Sequence, residues 1–200
     1  LEDTLADVRM DEDGEMRIIG IEGTVSLRIN LYEEEELNLL EDLYSLEQKV
    51  SYQTREAVYE ELLLQNQSKC KIVENLSLPE LKDDVLQICH SSGSVQIEHV
   101  ETRAEKQGGI LIEGILHVSF LYLKADDALP FGNWQGMVPF SYLLECPDMP
   151  KDVRYQLSNR VEQISVTMTG SDSVEVKAVL DFDVFLRKEV PMQVITEVSL

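Results

Sequence analysis

The sequence predicts a mainly β protein, built as tandem β-sandwich-like domains with one or two short helices. Apolar residues repeat with a period of two over several long stretches, and turn signals separate those stretches. Stretches with the 3.6-residue period of an amphipathic helix are few. Strands joined by turns, with few helices, favour the packing of sheet against sheet.

A hairpin is predicted near the start of the chain. Asp13-Gly14 lies between two stretches of strand-like residues, 7–10 and 15–19, and an Asp-Gly pair favours a tight turn because glycine tolerates a positive φ. The next alternation predicts a half-buried strand whose apolar positions are Val25, Leu27, Ile29 and Leu31.

Residues 54–64 leave two structures open. Thr54 could cap a helix in which Val58 and Leu62 lie four residues apart. Tyr52 and Thr54 also continue an alternating pattern, which indicates a strand instead. Further along, a proline at position 79 followed by residues 80–86 predicts one or two helical turns.

Three more alternating stretches predict the main strands of the second half. The longest covers residues 110–122, and another covers residues 161–168 before a turn at 170–173. The third covers residues 174–186. Its apolar face alternates with a face that carries Glu175, Lys177, Asp181 and Asp183.

An internal repeat indicates how the chain is organised. Residues 21–27 align with residues 112–118 in the same alternating phase. This alignment makes Gly23 and Gly114 equivalent, and both are predicted to be packing positions. A weaker similarity relates residues 31–46 to residues 186–200. We therefore place a boundary near Leu78-Pro79. Residues 1–78 are interpreted as the C-terminal part of a first domain plus a linker, and residues 79–200 as a second, nearly complete domain. We expect the two segments to pack together, since a partial domain exposes unpaired strand edges.

Charge excludes several classes of partner. The chain has 17 Lys and Arg against 38 Asp and Glu, a net charge of −21 at pH 7. Nucleic-acid backbones and anionic membrane surfaces repel such a protein. The most apolar run, residues 110–123, is shorter than the ~20 residues of a membrane-spanning helix. We therefore expect no nucleic-acid partner and no membrane insertion.

No set of residues indicates catalysis, a cofactor or a metal site. The cysteines are odd in number, far apart and without a CxxC pair, which favours a reduced, intracellular setting over a disulfide framework. Cys89 and His90 are adjacent, so in a strand their side chains point to opposite faces. We expect packing or surface roles for the six residues of these types, which are Cys70, Cys89, Cys146, His90, His99 and His117.

Two features are candidate partner-binding positions. The acidic block consists of Glu33, Glu34, Glu35 and Glu36. It is interpreted as a solvated strand end that discourages aggregation, as a docking patch for a basic partner, or as a weak divalent-cation site. The second candidate is Trp134, in a loop-like stretch rich in turn residues, 130–136. A buried Trp134 would be a core residue, whereas an exposed one would be an interface anchor.

The order of motifs resembles the SPOCS domain family. Residues 18–46 are similar to the segment that links successive SPOCS domains, and residues 78–88 are similar to the entry into the domain. Five later stretches resemble its strands in the same order, so the resemblance covers nearly the whole chain. These stretches are residues 92–95, 112–116, 121–123, 138–141 and 174–180.

The resemblance implies a role in building the spore envelope. SPOCS domains stand in tandem before a C-terminal LysM module in SipL-type spore-coat morphogenetic proteins of spore-forming bacteria, and that module is not recognisable in these 200 residues. The implied function is non-catalytic and structural, in the mother-cell cytoplasm at the forespore and coat surface. The implied partners are other coat or envelope proteins, including the ATPase scaffold of the coat, and no cofactor is implied.

A carbohydrate- or peptidoglycan-binding β-sandwich is the alternative function. Such a module requires a face with several exposed aromatic side chains. The exposure of Trp134 and Tyr142 therefore separates the two functions.

Overall fold

The structure is a computed structural model that describes residues 3–27, 29–82, 84–104, 108–126, 128–147 and 149–199. It divides into two units, Leu1–Leu40 and Glu41–Leu200. Within the described ranges the regular elements are antiparallel strands and one turn of 3₁₀ helix. The predicted mainly β fold class is therefore confirmed.

The first unit contains the predicted hairpin. β1 (Asp3–Met10) pairs antiparallel with β2 (Met16–Thr24). Gly14 has a φ of +80°, in the left-handed region that favours glycine. The Asp11 carboxylate closes the turn, because its Oδ1 accepts hydrogen bonds from the backbone N–H groups of Asp13 (3.0 Å) and Glu15 (2.9 Å).

The strand predicted from Val25, Leu27, Ile29 and Leu31 is wrong. The described residues 25–27 and 29–31 are irregular, and these four side chains are between 63% and 93% exposed. Alternation alone does not hold a strand, because its backbone needs a hydrogen-bonded neighbour. No other described strand pairs with this stretch. The packing role expected for Gly23 is also wrong, since this glycine is exposed in β2.

The second unit contains two antiparallel sheets of three strands each. Their orders are β3-β8-β7 and β4-β5-β6. The strands are β3 (Ser51–Ser77), β4 (Val85–Arg103), β5 (Gly109–Lys124), β6 (Phe131–Glu145), β7 (Arg154–Met168) and β8 (Ser173–Ser199). Residues 54–64 lie within β3, so the strand alternative is confirmed there. Of the one or two helical turns predicted after Leu78, the structure has a single 3₁₀ turn, Pro79–Leu81.

One hydrophobic core joins the two sheets. β5 and the first half of β8, as far as Leu186, bury every second side chain, as a period of two requires for a sheet with one covered face. Aromatic contacts cross between the sheets. The ring of Phe182 lies 6.1 Å from that of Phe140 and 5.7 Å from that of Tyr142. The fully buried residues of β8 are Val174, Val176, Leu180, Phe182, Val184 and Leu186.

The structural division differs from the boundary predicted near Leu78-Pro79. β3 belongs to the predicted first segment, yet it pairs with β8 along its whole length, from Ser51 opposite Ser199 to Ser77 opposite Ser173. Residues 51–77 therefore lie in one unit with the strands that follow them, because the backbone pairing of β3 with β8 extends over the full length of both strands. The assignment of residues 1–78 to a preceding SPOCS-like domain stays a prediction.

Candidate functional site

The acidic block lies in the irregular, exposed stretch that follows β2. It is not at a strand end, as one interpretation of the sequence required. Among the described residues, none forms an ion pair with its four glutamates, and all four side chains face solvent. The block is thus a dense, fully hydrated negative patch on the first unit.

Trp134 lies in a strand, so the predicted loop at residues 130–136 is wrong. Residues 131–136 form the start of β6, and Trp134 pairs with Phe120 of β5. Gly132, Asn133 and Gly136 are of residue types that favour turns. Cross-strand pairing with β5 outweighs that local preference, because the stretch also alternates between exposed and half-buried side chains.

The contacts of Trp134 are those of a packing residue. Its ring stacks on Phe120, with centroids 5.1 Å apart and planes inclined by 25°. Its indole Nε1–H donates a hydrogen bond to Glu80 Oε1 at 3.1 Å, which ties β6 to the 3₁₀ turn. Tyr142 is also half-buried, stacks on Phe182 and shares a hydrogen bond with the Ser68 hydroxyl. The two aromatic side chains that a sugar-binding face would expose are both engaged inside the fold.

The cysteines and histidines are dispersed. Burial raises the pKa of the Cys70 and Cys146 thiols, which keeps them protonated and weakly nucleophilic. His117 lies 3.0 Å from Gln96, measured from Nε2 to Oε1. In the part of the chain that the structure describes, no three His, Cys, Asp or Glu side chains come together as a metal site.

One strand edge of the second unit is open over a long distance. β7 pairs with β8 only as far as Arg187, which lies opposite Arg154. Residues 188–199 continue along β3, while none of the described strands pairs with their other side. We call this open side of residues 188–199 the β8 edge. Such an edge is a template for a strand from another chain.

Prolines interrupt two open edges of the unit. Pro191 lies in the β8 edge opposite Val58 of β3, and Pro139 lies in the edge strand β6 opposite Ile115 of β5. A proline has no N–H, so in a sheet it is tolerated where that position faces away from the neighbouring strand. Each therefore removes a backbone donor from an open edge, which limits uncontrolled pairing.

Sequence reasoning missed a carboxylate buried on the outer face of the β3-β8-β7 sheet. Asp181 was predicted to lie on a polar face, and it does, but only 3% of its area is exposed. Its Oδ2 accepts hydrogen bonds from Gln67 Nε2 (2.6 Å) on β3 and from Arg160 Nε (2.8 Å) and Nη2 (2.5 Å) on β7. The available signal was an aspartate in the middle of a long strand. Its partners depend on the register of three strands, which the sequence does not reveal.

Asp181 is held in its charged form. Burial alone raises the pKa of its carboxyl group, but the hydrogen bonds from Gln67 and Arg160 and the positive charges of Arg160 and Lys69 outweigh burial and lower that pKa. The carboxylate therefore joins all three strands of the sheet through charge-assisted hydrogen bonds.

Comparison with known proteins identifies one family. The family model described as SipL, SPOCS domain, matches residues 84–169, which include all of β4, β5, β6 and β7. This family indicates a sporulation-related protein. A search of curated proteins and a search of solved structures each found no match. Over the described ranges, the structure has no helix with the length and apolar character to cross a membrane. Residues 84–169 of this chain match the family model of the SPOCS domain, the family that the order of motifs predicted.

Proposed function

We propose that this chain is a non-catalytic interaction module in the assembly of the bacterial endospore coat. The observation that carries the proposal is the SPOCS match over residues 84–169. In this proposal the chain acts in the mother-cell cytoplasm at the forespore surface. Its partners are other coat or envelope proteins, and the scaffold ATPase of the coat is the first to test.

The β8 edge is the proposed docking element of the second unit. Backbone groups on an open strand edge bind a partner strand in a way that depends little on side chains, and flanking side chains then select the partner. The edge offers four half-buried apolar positions, which are Val190, Met192, Val194 and Ile195. Pro191 confines pairing to the stretch on either side of it.

The acidic block is the proposed electrostatic element of the first unit. Four consecutive hydrated carboxylates attract a basic surface over roughly 10 Å at moderate salt, and this attraction weakens as salt rises. Such a patch accelerates association, and through this higher association rate it also adds a salt-sensitive part of the affinity. Together the two elements describe a module that is steered by charge and held by backbone pairing.

Localisation in sporulating cells tests this proposal. The chain is fused to a fluorescent protein and produced in the mother cell during sporulation. We expect a ring of fluorescence at the forespore surface. The matched control replaces the acidic block with four glutamines, and it should still reach the surface but more slowly. Fluorescence that remains diffuse in the mother cell with a folded fusion would contradict the proposal.

A further inference from the structure

A small polar cavity of about 150 Å³ opens on the outer face of the β3-β8-β7 sheet. The strand register builds it from two neighbouring rows of side chains, one centred on Asp183 and the other on Asp181. All six of its lining residues are polar or charged, and most of them carry oxygen acceptors. The lining residues are Gln67, Ser158, Asn159, Arg160, Asp181 and Asp183.

Asp181 brings an unused acceptor to this cavity. Its Oδ2 receives every hydrogen bond from Gln67 and Arg160, whereas its Oδ1 is buried and has no hydrogen-bond partner among the described residues. A buried carboxylate oxygen without a donor is unfavourable, because it has lost its hydrogen bonds to water and no protein donor replaces them. Lys69 lies opposite Asp181 on β3, but its ammonium group is engaged elsewhere, since its Nζ pairs with Glu162 Oε1 at 2.7 Å.

The charges that line the cavity select the kind of ligand. Asp181 and Asp183 are negative and Arg160 is positive, so the lining has one excess negative charge. A ligand with one positive charge neutralises it, while a divalent ion leaves an excess of positive charge beside the Arg160 guanidinium. The ligand must also donate hydrogen bonds, because Asp181 Oδ1, the Asp183 carboxylate and the Ser158 hydroxyl all accept them.

We infer that the cavity binds a primary ammonium group, supplied by a lysine side chain of a partner protein. One N–H donates to Asp181 Oδ1, and the other two donate to Asp183 and Ser158. An ammonium group with its last methylene groups fits a cavity of this size. Because Oδ1 is closed off from solvent in the unbound chain, the Arg160 side chain, which is 67% exposed, shifts to admit the ammonium group while it keeps its ion pair with Oδ2. This inference concerns the chemistry of a contact and holds whether or not the partner is a coat protein.

Amide NMR spectra of the 200-residue chain test the inference with a defined probe. The probe is the peptide acetyl-Gly-Lys-Gly-amide, added at constant ionic strength. The same peptide with an acetylated lysine side chain lacks the charge. Tetramethylammonium chloride carries the charge but has no N–H donor. We expect saturable shifts of amides at 67, 158–160 and 181–183 with the lysine peptide alone.

Two variants and a matched control locate the binding. Asp183→Asn removes one exposed acceptor and should weaken binding about tenfold, the loss expected for one charged hydrogen bond. Asp181→Asn should abolish the shifts, and spectral dispersion shows whether it still folds. If it does not fold, Asp183→Asn decides alone. Glu145→Gln makes the same change of charge on β6 and should leave binding unchanged.

Two results would overturn the inference. One is an equal response to the lysine peptide and to tetramethylammonium, which would mean that a strongly acidic protein merely attracts cations. The other is an equal loss of binding in Asp183→Asn and Glu145→Gln, which would place the contact elsewhere.

Discussion

At the scale of single residues, Asp181 is a side chain that links all three strands of the β3-β8-β7 sheet. One oxygen atom of its carboxylate accepts hydrogen bonds from Gln67 on β3 and from Arg160 on β7. Backbone pairing already holds these strands together, so the carboxylate fixes their outer side chains. Because these contacts favour the charged form, the contribution of Asp181 to stability depends on pH.

Asp181→Asn should lower the melting temperature at pH 7, and this loss should disappear in acid. The pKa of Asp181 is lower in the folded chain than its ordinary value of 3.8. Its stabilising contribution is therefore fully present above pH 3.8 and is lost as the pH falls through the folded-state pKa below that value. Thermal unfolding of the wild type and the variant, measured at pH 7 and at a pH well below 3.8, gives the difference in melting temperature. The control Asp183→Asn, two residues along β8, should show little difference at either pH. A gap between wild type and Asp181→Asn that does not change with pH would contradict this explanation.

Gly114 is a packing position, as the repeat predicted, because β4 approaches β5 very closely there. A Cβ atom at this position would lie 2.4 Å from the Gln96 carbonyl oxygen and 3.2 Å from the Ile97 Cα. Both are backbone atoms, so relief requires the strands to separate. The equivalent Gly23 in β2 is exposed, which shows that a sequence repeat does not by itself transfer packing.

Gly114→Ala should lower the free energy of unfolding by about 1–3 kcal/mol, the range for forcing extra atoms into a packed core. Denaturant unfolding of the chain measures it. Gly23→Ala is the matched control, and its effect should be small because this glycine is exposed in β2. An unchanged unfolding midpoint for Gly114→Ala would show that the close approach of β4 and β5 is absent in solution.

At the scale of elements, alternation identifies strands well but does not identify their neighbours. β5 and β8 could be predicted because their period of two is long and local. The pairing of β3 with β8 could not, since it joins residues far apart in sequence. The loop prediction around Trp134 is wrong for the same reason. Its glycines indicate a turn locally, and only its pairing with β5 makes the stretch a strand. The cavity beside Asp181 depends on that same register and was beyond sequence reasoning.

Pro191 is expected to keep the β8 edge from pairing with further copies of the chain. Pro191→Thr supplies the missing N–H and a residue that favours strands, so it should promote self-association. Sedimentation velocity over a range of protein concentrations measures this. The control is Gln193→Thr, which adds the same side chain to an exposed position of the same strand without adding a donor. A Pro191→Thr variant that sediments like the control would show that the edge is closed by other means.

At the scale of the whole molecule, the net charge of −21 shapes how this chain meets other proteins. Charge of one sign keeps copies apart and attracts basic surfaces. The acidic block concentrates that charge in the first unit, while the SPOCS match lies in the second. The proposed function therefore assigns different tasks to the two units. The first attracts a basic partner through its charge, and the second binds the partner by backbone pairing.

Replacing the acidic block with four lysines should slow association with a basic partner and remove most of its dependence on salt. The substitution changes the charge by eight units without touching the folded sheets, so the melting temperature should be nearly unchanged. Association rates measured by surface plasmon resonance at several salt concentrations test this. The four-glutamine variant should fall between the wild type and the four-lysine variant. Rates that are independent of the block would leave it as a solvated segment without a role in docking.

The most direct test of the central claim is binding of the 200-residue chain to the purified scaffold ATPase of the spore coat. Equilibrium binding is measured at low and at high salt. The proposed function predicts a complex that forms at low salt and weakens as salt rises, because charge steers the encounter. Failure of the folded chain to bind the scaffold at low salt would contradict the claim that these domains themselves make a contact in coat assembly.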